Sequence, residues 1–123
     1  MTISQAIERT DGLVHNTYSQ EEKVQWLSMV DVSVMEQLIN THEDPSVTSF
    51  AGYDPGAPLD TVLLVTEPYS ELYIYWLEAK IHYYNGEYGR YNQAMAMYNA
   101  AFTAYESHYN RTHMPKGQLF RYF

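Results

Sequence analysis

The residues of this sequence that are best suited to chemistry are five histidines and several neighbouring carboxylates. Their spacing does not suit a metal ion: His108 and His113 are five residues apart, which places them on different faces of a helix, and no HExxH pattern occurs. His42, Glu43 and Asp44 are consecutive, so their side chains cannot easily converge on one ion. We therefore expect surface or half-buried histidines and no metal site.

The glycine and carboxylate patterns of the sequence match none of the common motifs for catalysis or for nucleotide and metal binding. The sequence contains no GxSxG, P-loop, GxGxxG or EF-hand pattern. No strand-like segment leads into Gly86-Glu87-Tyr88-Gly89, so we interpret this run as a turn that joins two helices, not as a phosphate-binding loop. Adjacent acids such as Glu21 and Glu22 are explained by helix capping and solvation. Because cysteine is absent, thiolate chemistry is excluded. We predict no enzyme, no catalytic residue and no cofactor.

The thirteen tyrosines admit two functional interpretations. A stacking platform for single-stranded nucleic acid needs basic residues among the rings, yet only Lys80 and Arg90 lie between Tyr73 and Tyr91. Tyrosine also buries a large ring while its hydroxyl stays hydrated, and it is enriched where proteins meet. We favour a role in the core and in subunit interfaces.

The net charge of −8 is unevenly distributed. Residues 111–123 carry Arg111, Lys116 and Arg121 without any acid, so residues 1–110 hold 4 of the 7 basic residues, all 15 acids and a charge of −11. Such a body repels phosphate backbones, which argues against sequence-specific nucleic-acid binding. The sequence shows neither a secretion signal nor an apolar run of about 18 residues, so we also expect no membrane partner.

Periodicity and capping signals predict four helices. The first runs from Thr2 to Leu13, and the second opens with a capping box at Ser19 and runs to about Asn40. A third spans Tyr69–Asn85, with Pro68 at its start, and a fourth runs to about residue 110. The turn between the last two is so short that they must lie antiparallel, side by side.

The fourth predicted helix carries two rows of side chains. The spacing of the larger row, 4, 3, 4, 3, 4, is that of a packing seam, and its members are Tyr91, Met95, Tyr98, Phe102, Tyr105 and Tyr109. The second row keeps this spacing with smaller side chains, which allows another backbone to approach closely: Ala94, Met97, Ala101, Ala104 and His108. This helix is expected to pack against its neighbour along one face and to leave a second face open to the close approach of another backbone.

Residues 43–67 interrupt the helical pattern with turn signals around two strand-like pieces, Val47–Tyr53 and Thr61–Val65. We predict a small β-hairpin or a pair of extended arms there, and loops of this length commonly have a function. The expected fold is therefore mainly α, a four-helix bundle with this excursion between helices 2 and 3. Residues 1–110 form the helical domain, and residues 111–123 form a basic, aromatic tail.

The last two predicted helices and the start of the tail resemble a family of small proteins, the head–tail connector (adaptor) proteins of tailed phages and prophages of Gram-positive bacteria. The similarity is most specific over residues 68–116, general over 1–42 and loose over 43–67. The motifs that carry it are Pro68-Tyr69, Leu72-Tyr73, Trp76-Leu77-Glu78-Ala79-Lys80-Ile81, Tyr84-Asn85-Gly86-Glu87, Tyr91-Asn92 and Tyr109-Asn110-Arg111-Thr112-His113-Met114-Pro115-Lys116.

The resemblance implies a structural virion protein that forms a ring of about twelve copies between the portal protein and a tail or stopper protein. No catalytic residues carry over. For the contacts with portal or tail we expect Met114, Lys116, Leu119, Phe120, Arg121, Tyr122 and Phe123, although this tail is equally compatible with packing back onto its own domain. For the subunit interface we expect Phe50, Tyr53, Val62, Leu64, Tyr75, Tyr83 and Tyr88. The alternative is a small phage or bacterial protein–protein interaction module that never forms a ring.

Overall fold

Four α-helices build the structure, a computed structural model that describes residues 1–39 and 50–113. They are α1 (Ile3–Leu13), α2 (Gln20–Gln37), α3 (Glu71–Tyr84) and α4 (Tyr88–Thr112). The third helix is central and contacts each of the other three, whereas the backbone of α4 approaches that of α3 alone among the described helices. The prediction of a mainly helical fold with four helices and an α3–α4 hairpin is confirmed.

The N-terminal caps follow the sequence signals. At α1 the Thr2 hydroxyl accepts a hydrogen bond from the Gln5 amide, and the Gln5 side chain accepts one from the Thr2 amide. At α2 the Ser19 hydroxyl accepts from the Glu22 amide. Both caps satisfy amides that have no partner inside a helix, which fixes where each helix begins.

The helix ends differ from prediction by one to three residues. The third helix begins at Glu71, not at Tyr69, because the Tyr69 amide donates to the carbonyl of Thr66 in a preceding turn. Pro68 therefore lies outside the helix. The second helix ends at Gln37, and the predicted end near Asn40 lies outside the described residues. The fourth helix continues to Thr112, two residues beyond the expected end.

The seam of α4 packs onto α3 as its spacing predicts. The rings of Tyr98, Tyr105 and Tyr109 are buried, and the other members of the larger row are half-buried. Gly86 adopts a positive φ of 79° in the connecting turn, a conformation that glycine accepts without steric cost. On the second row Ala94 is buried, but half of the Met97 side chain is exposed.

The described part of the excursion, residues 50–67, packs against the body instead of forming a β-hairpin. Its backbone pairs with the N-terminus: the Ile3 amide donates to the Thr61 carbonyl, and the Leu63 amide donates to the Met1 carbonyl. One isolated antiparallel bridge results, between Thr2 and Val62. Among the described residues this segment is extended, which is one of the two predicted alternatives, and it pairs with the N-terminal residues; residues 47–49 of the other strand-like piece lie outside the described residues.

Candidate interaction surfaces

A fully buried carboxylate holds the 50–67 segment to the helices. Asp31 of α2 has no exposed surface, and its oxygens accept hydrogen bonds from the hydroxyls of Tyr53 and Tyr73 and, at 3.0 Å, from the amide of Leu64. The Tyr73 hydroxyl also accepts from the Val65 amide at 2.8 Å. Burying a carboxylate is costly unless its oxygens are satisfied, and here three donors converge on them.

The electrostatics of this cluster follow from its burial. Desolvation raises the pKa of Asp31, and the hydrogen bonds from Tyr53, Tyr73 and Leu64 oppose that rise without cancelling it. The pKa of Tyr73 also rises well above its usual value, first because the ring is buried and then because the Asp31 charge lies beside it. Both tyrosines are therefore held as donors, not as acids or bases. The cluster is enclosed, and we interpret it as structural.

A glycine completes the attachment of this segment. Gly52 has a φ of 111°, and a β-carbon at this position would lie 3.4 Å from the Ser28 hydroxyl oxygen. The next residue, Tyr53, donates its amide to that same hydroxyl at 2.6 Å. The chain therefore lies in van der Waals contact with α2 at this point, and its φ of 111° is one that only glycine adopts without strain.

A partly exposed group of rings, here called the aromatic surface, gathers where the start of α2 meets the α3–α4 turn. It consists of Tyr18, Trp26, Tyr83, Tyr84, Tyr88 and Tyr91. The rings of Trp26 and Tyr84 stack at 5.7 Å between centroids, and Tyr83 contacts Tyr84, Tyr88 and Tyr91 at 5.3 to 6.1 Å. Tyr83, Tyr84 and Tyr88 keep 47%, 56% and 61% of their surface exposed. These rings have apolar area left over after packing among themselves, as interface residues do.

Hydrogen bonds fix the frame of the aromatic surface. The Trp76 indole donates to the Trp26 carbonyl at 2.9 Å, and the Tyr18 hydroxyl donates to the Asn85 side-chain oxygen at 2.6 Å. The Lys80 ammonium lies 4.9 Å from the centroid of the Trp76 ring, which is cation–π geometry. These contacts hold Tyr18 and Trp26, which lie beneath and beside the more exposed rings, in place.

A groove of about 580 Å³, here called the α1–α3–α4 groove, lies on the other side of the hairpin. Its floor and rims include Leu13 and Val14 at the end of α1, Tyr75 and Glu78 on α3, and Ala94 and Met97 on α4. Two of these apolar side chains are largely exposed: Leu13 is 63% exposed and Met97 is 51% exposed. Glu78 is half-buried, and desolvation raises its pKa although the charge of nearby His82 opposes this rise.

One end of this groove is closed by a polar network around Glu87. Its carboxylate lies 3.1 Å from Nδ1 of His82 and accepts hydrogen bonds from Asn85 at 3.2 Å and from Arg90 at 3.4 Å. The hydrogen bond with His82, followed by that from Asn85, lowers the pKa of Glu87. By contrast, Glu78 makes no hydrogen bond or ion pair with the residues described. The groove therefore holds a half-buried carboxylate that interacts electrostatically with His82 but makes no direct ion pair with the residues described.

The middle of α4 carries no charge. From Tyr91 to Tyr105 there is no Asp, Glu, Lys or Arg, and at 1.5 Å per residue this stretch is about 22 Å long. Because α4 packs on α3 alone among the described helices, much of this uncharged stretch faces outward, including Ala96, Ala100 and Ala104. Depletion of charge distinguishes the centre of protein interfaces from ordinary surface.

The residues expected at a subunit interface fall in three places. Phe50, Tyr53 and Leu64 are half-buried beside α2, where Phe50 packs edge-on against Tyr53 at 4.8 Å, and Val62 is 67% exposed nearby. Tyr83 and Tyr88 belong to the aromatic surface, and Tyr75 lines the α1–α3–α4 groove. Their role between subunits stays a prediction. The seven tail residues expected to contact portal or tail, Met114, Lys116, Leu119, Phe120, Arg121, Tyr122 and Phe123, lie outside the described residues.

Residues 1–39 and 50–113 show neither a metal site nor a membrane-spanning helix. No group of three or more His, Cys, Asp or Glu side chains there is arranged to hold a metal ion. No helix in that part of the chain is long and apolar enough to cross a membrane. Compared with models of protein families, with curated proteins and with solved structures, the sequence and fold of this chain match none.

Proposed function

We propose that this chain is a structural virion protein, a head–tail connector (adaptor) that forms a ring between the portal and the tail of a phage particle. The proposal starts from the resemblance of residues 68–116 to that family. The observation in the molecule that supports it best is the aromatic surface, where Tyr83, Tyr84 and Tyr88 together expose about half of their area on a frame fixed by hydrogen bonds. Rings displayed in this way are suited to protein contacts.

A role in assembly also agrees with the chemistry of the described residues. The most deeply buried ionisable group, Asp31, is enclosed by hydrogen-bond donors and has no access to a substrate. The groove that holds Glu78 contains no nucleophile paired with a base. In addition, the uncharged stretch of α4 gives copies of an acidic chain one face on which they can approach without charge repulsion. We therefore propose that the protein acts by shape and self-association.

Negative-stain electron microscopy tests the proposal. The full-length chain is expressed together with the portal protein that is encoded in the same phage or prophage genome, and particles are averaged with and without it. The expected result is an additional ring of density, of about twelve copies, on one end of the portal. An interaction module that does not assemble in rings would leave the portal particle unchanged and would itself remain monomeric or dimeric, which would overturn the proposal.

A further inference from the structure

We propose that the α1–α3–α4 groove of one copy binds the basic C-terminal segment, residues 114–123, of a second copy. This inference deepens the proposed function, on which it rests, by assigning the groove and the segment to each other as the two halves of a subunit contact.

The groove is suited to an apolar peptide that carries a positive charge. Leu13 and Met97 expose large apolar surfaces in its lining, and Glu78 lines it as a half-buried carboxylate that makes no direct ion pair with the residues described. Arg90, which also lines the groove, is already paired with Glu87. A cation from outside would therefore meet Glu78 in a partly desolvated place, where an ion pair is stronger than at an open surface.

The C-terminal segment has the complementary composition. Residues 114–123 contain two basic side chains, Lys116 and Arg121, and no acid, while residues 1–110 carry a charge of −11. Arg121 is flanked by Phe120 and Tyr122, so a cation there comes with aromatic neighbours on both sides. Such a segment suits the groove, because the arginine guanidinium can pair with the Glu78 carboxylate while the adjacent aromatic rings contact the apolar side chains of the lining.

The length of the chain favours a contact between two copies over one within a single copy. Nineteen residues of helix separate Ala94, at the groove, from His113, which corresponds to about 28 Å along the axis of α4. The eight residues from His113 to Arg121 span about 27 Å even when fully extended. An intramolecular contact would thus need the segment to reverse direction and run back along α4 almost fully extended, with the Arg121 side chain bridging the remainder, whereas a neighbouring copy can present Arg121 to Glu78 without this constraint.

Disulfide trapping between full-length copies tests this contact, and the absence of cysteine provides a clean background. One chain carries Met97→Cys in the groove, and a second carries Tyr122→Cys in the C-terminal segment. Under mild oxidation the mixture is expected to form a mixed disulfide dimer at least about fivefold faster than a control mixture in which Glu36→Cys, on the exposed face of α2, replaces Met97→Cys. Circular dichroism checks that each variant is folded.

Charge exchange tests the pairing itself. Adding Glu78→Lys to the groove chain, or Arg121→Glu to the other chain, should each slow the mixed cross-link about fivefold, and combining the two changes in one mixture should restore it. Equal rates for the groove and control cysteines would overturn the proposal. A chain that carries both Met97→Cys and Tyr122→Cys and closes on itself as a monomer would overturn it too.

The cross-linking experiment and the electron microscopy distinguish failure of this docking from failure of the proposed function. A ring on the portal without the Met97–Tyr122 cross-link would refute this docking alone. The cross-link without a ring would support the docking and refute the adaptor role.

Discussion

The Tyr73 hydroxyl on α3 donates a hydrogen bond to Oδ1 of Asp31 on α2 and accepts one from the Val65 amide. The Tyr73 hydroxyl thereby connects two helices and the irregular segment between them. Asp31, Val65 and Tyr73 are all fully buried there. The segment that precedes α3 thus has a fixed path, and α3, which supports α4 and the aromatic surface, is fixed with it. This relationship determines the first two predictions.

Replacing Asp31 by Asn should destabilise the fold by about 2 kcal/mol. The amide keeps the shape of the side chain but offers one acceptor oxygen where the carboxylate offers two, so the Tyr53 and Leu64 donors or the Tyr73 donor loses its partner. Urea unfolding measures the change. The matched control is Glu36→Gln on the exposed face of the same helix, for which we expect a change below about 0.5 kcal/mol. Equal effects of both substitutions would show that the buried cluster does not stabilise the fold.

The contribution of Asp31 should depend on pH in a defined direction. Burial raises its pKa in the folded state above the unfolded value of 3.8, so between these two values the folded chain binds the proton and the unfolded chain does not. The stability of the natural chain relative to Asp31→Asn should therefore be greatest below pH 3.8 and should fall as the pH rises through the folded-state pKa. Unfolding of both chains across this range, at constant ionic strength, measures it. A difference that grows with pH would contradict the assignment.

Gly52→Ala should destabilise the protein by about 1 to 2 kcal/mol. Its φ of 111° is unfavourable for any residue with a β-carbon, and that carbon would meet the Ser28 hydroxyl at 3.4 Å. Gly56→Ala serves as the control, because a β-carbon there has open space around it and no positive φ opposes it. Thermal unfolding compares the two. If Gly56→Ala destabilised the protein as much as Gly52→Ala, the positive φ of Gly52 would not explain the loss of stability.

Removing rings from the aromatic surface should weaken assembly without unfolding the chain. Tyr83 and Tyr88 are 47% and 61% exposed, so Tyr83→Ser combined with Tyr88→Ser loses little packing in the folded monomer. We expect the affinity of assembly, measured by sedimentation equilibrium with the portal present, to fall at least tenfold. Leu59→Ser removes an exposed apolar side chain from the 50–67 segment and should leave the affinity unchanged. Equal losses from both variants would argue against a specific role of these rings.

The helices could be predicted because their signals are local and periodic. The 4, 3, 4, 3, 4 spacing along α4 identifies the buried rings Tyr98, Tyr105 and Tyr109, and capping side chains mark the starts of α1 and α2. The exact start of α3 is harder to predict from the sequence, because a turn at Thr66–Tyr69 competes with the helix for the same backbone groups. The irregular path of residues 50–65 depends on contacts with α1 and α2 that no local pattern encodes.

The Asp31 cluster was missed, although one signal for it is present in the sequence. Val24, Leu27, Asp31, Val34 and Leu38 follow the spacing 3, 4, 3, 4, so a lone carboxylate occupies a core position of α2. That pattern indicates that donors must surround Asp31 in the folded chain. It cannot identify them, because Tyr53 and Tyr73 lie 22 and 42 residues away in sequence.

The claim that this chain joins virion parts by self-association is tested most directly by the mass of the complex that it forms with its portal protein. Native mass spectrometry of the portal, purified alone and after co-expression with the full-length chain, gives that mass. Our account predicts an increase equal to about twelve copies of the 14.4 kDa chain. A portal mass that stays unchanged, with the chain recovered separately as a monomer or dimer, would contradict it.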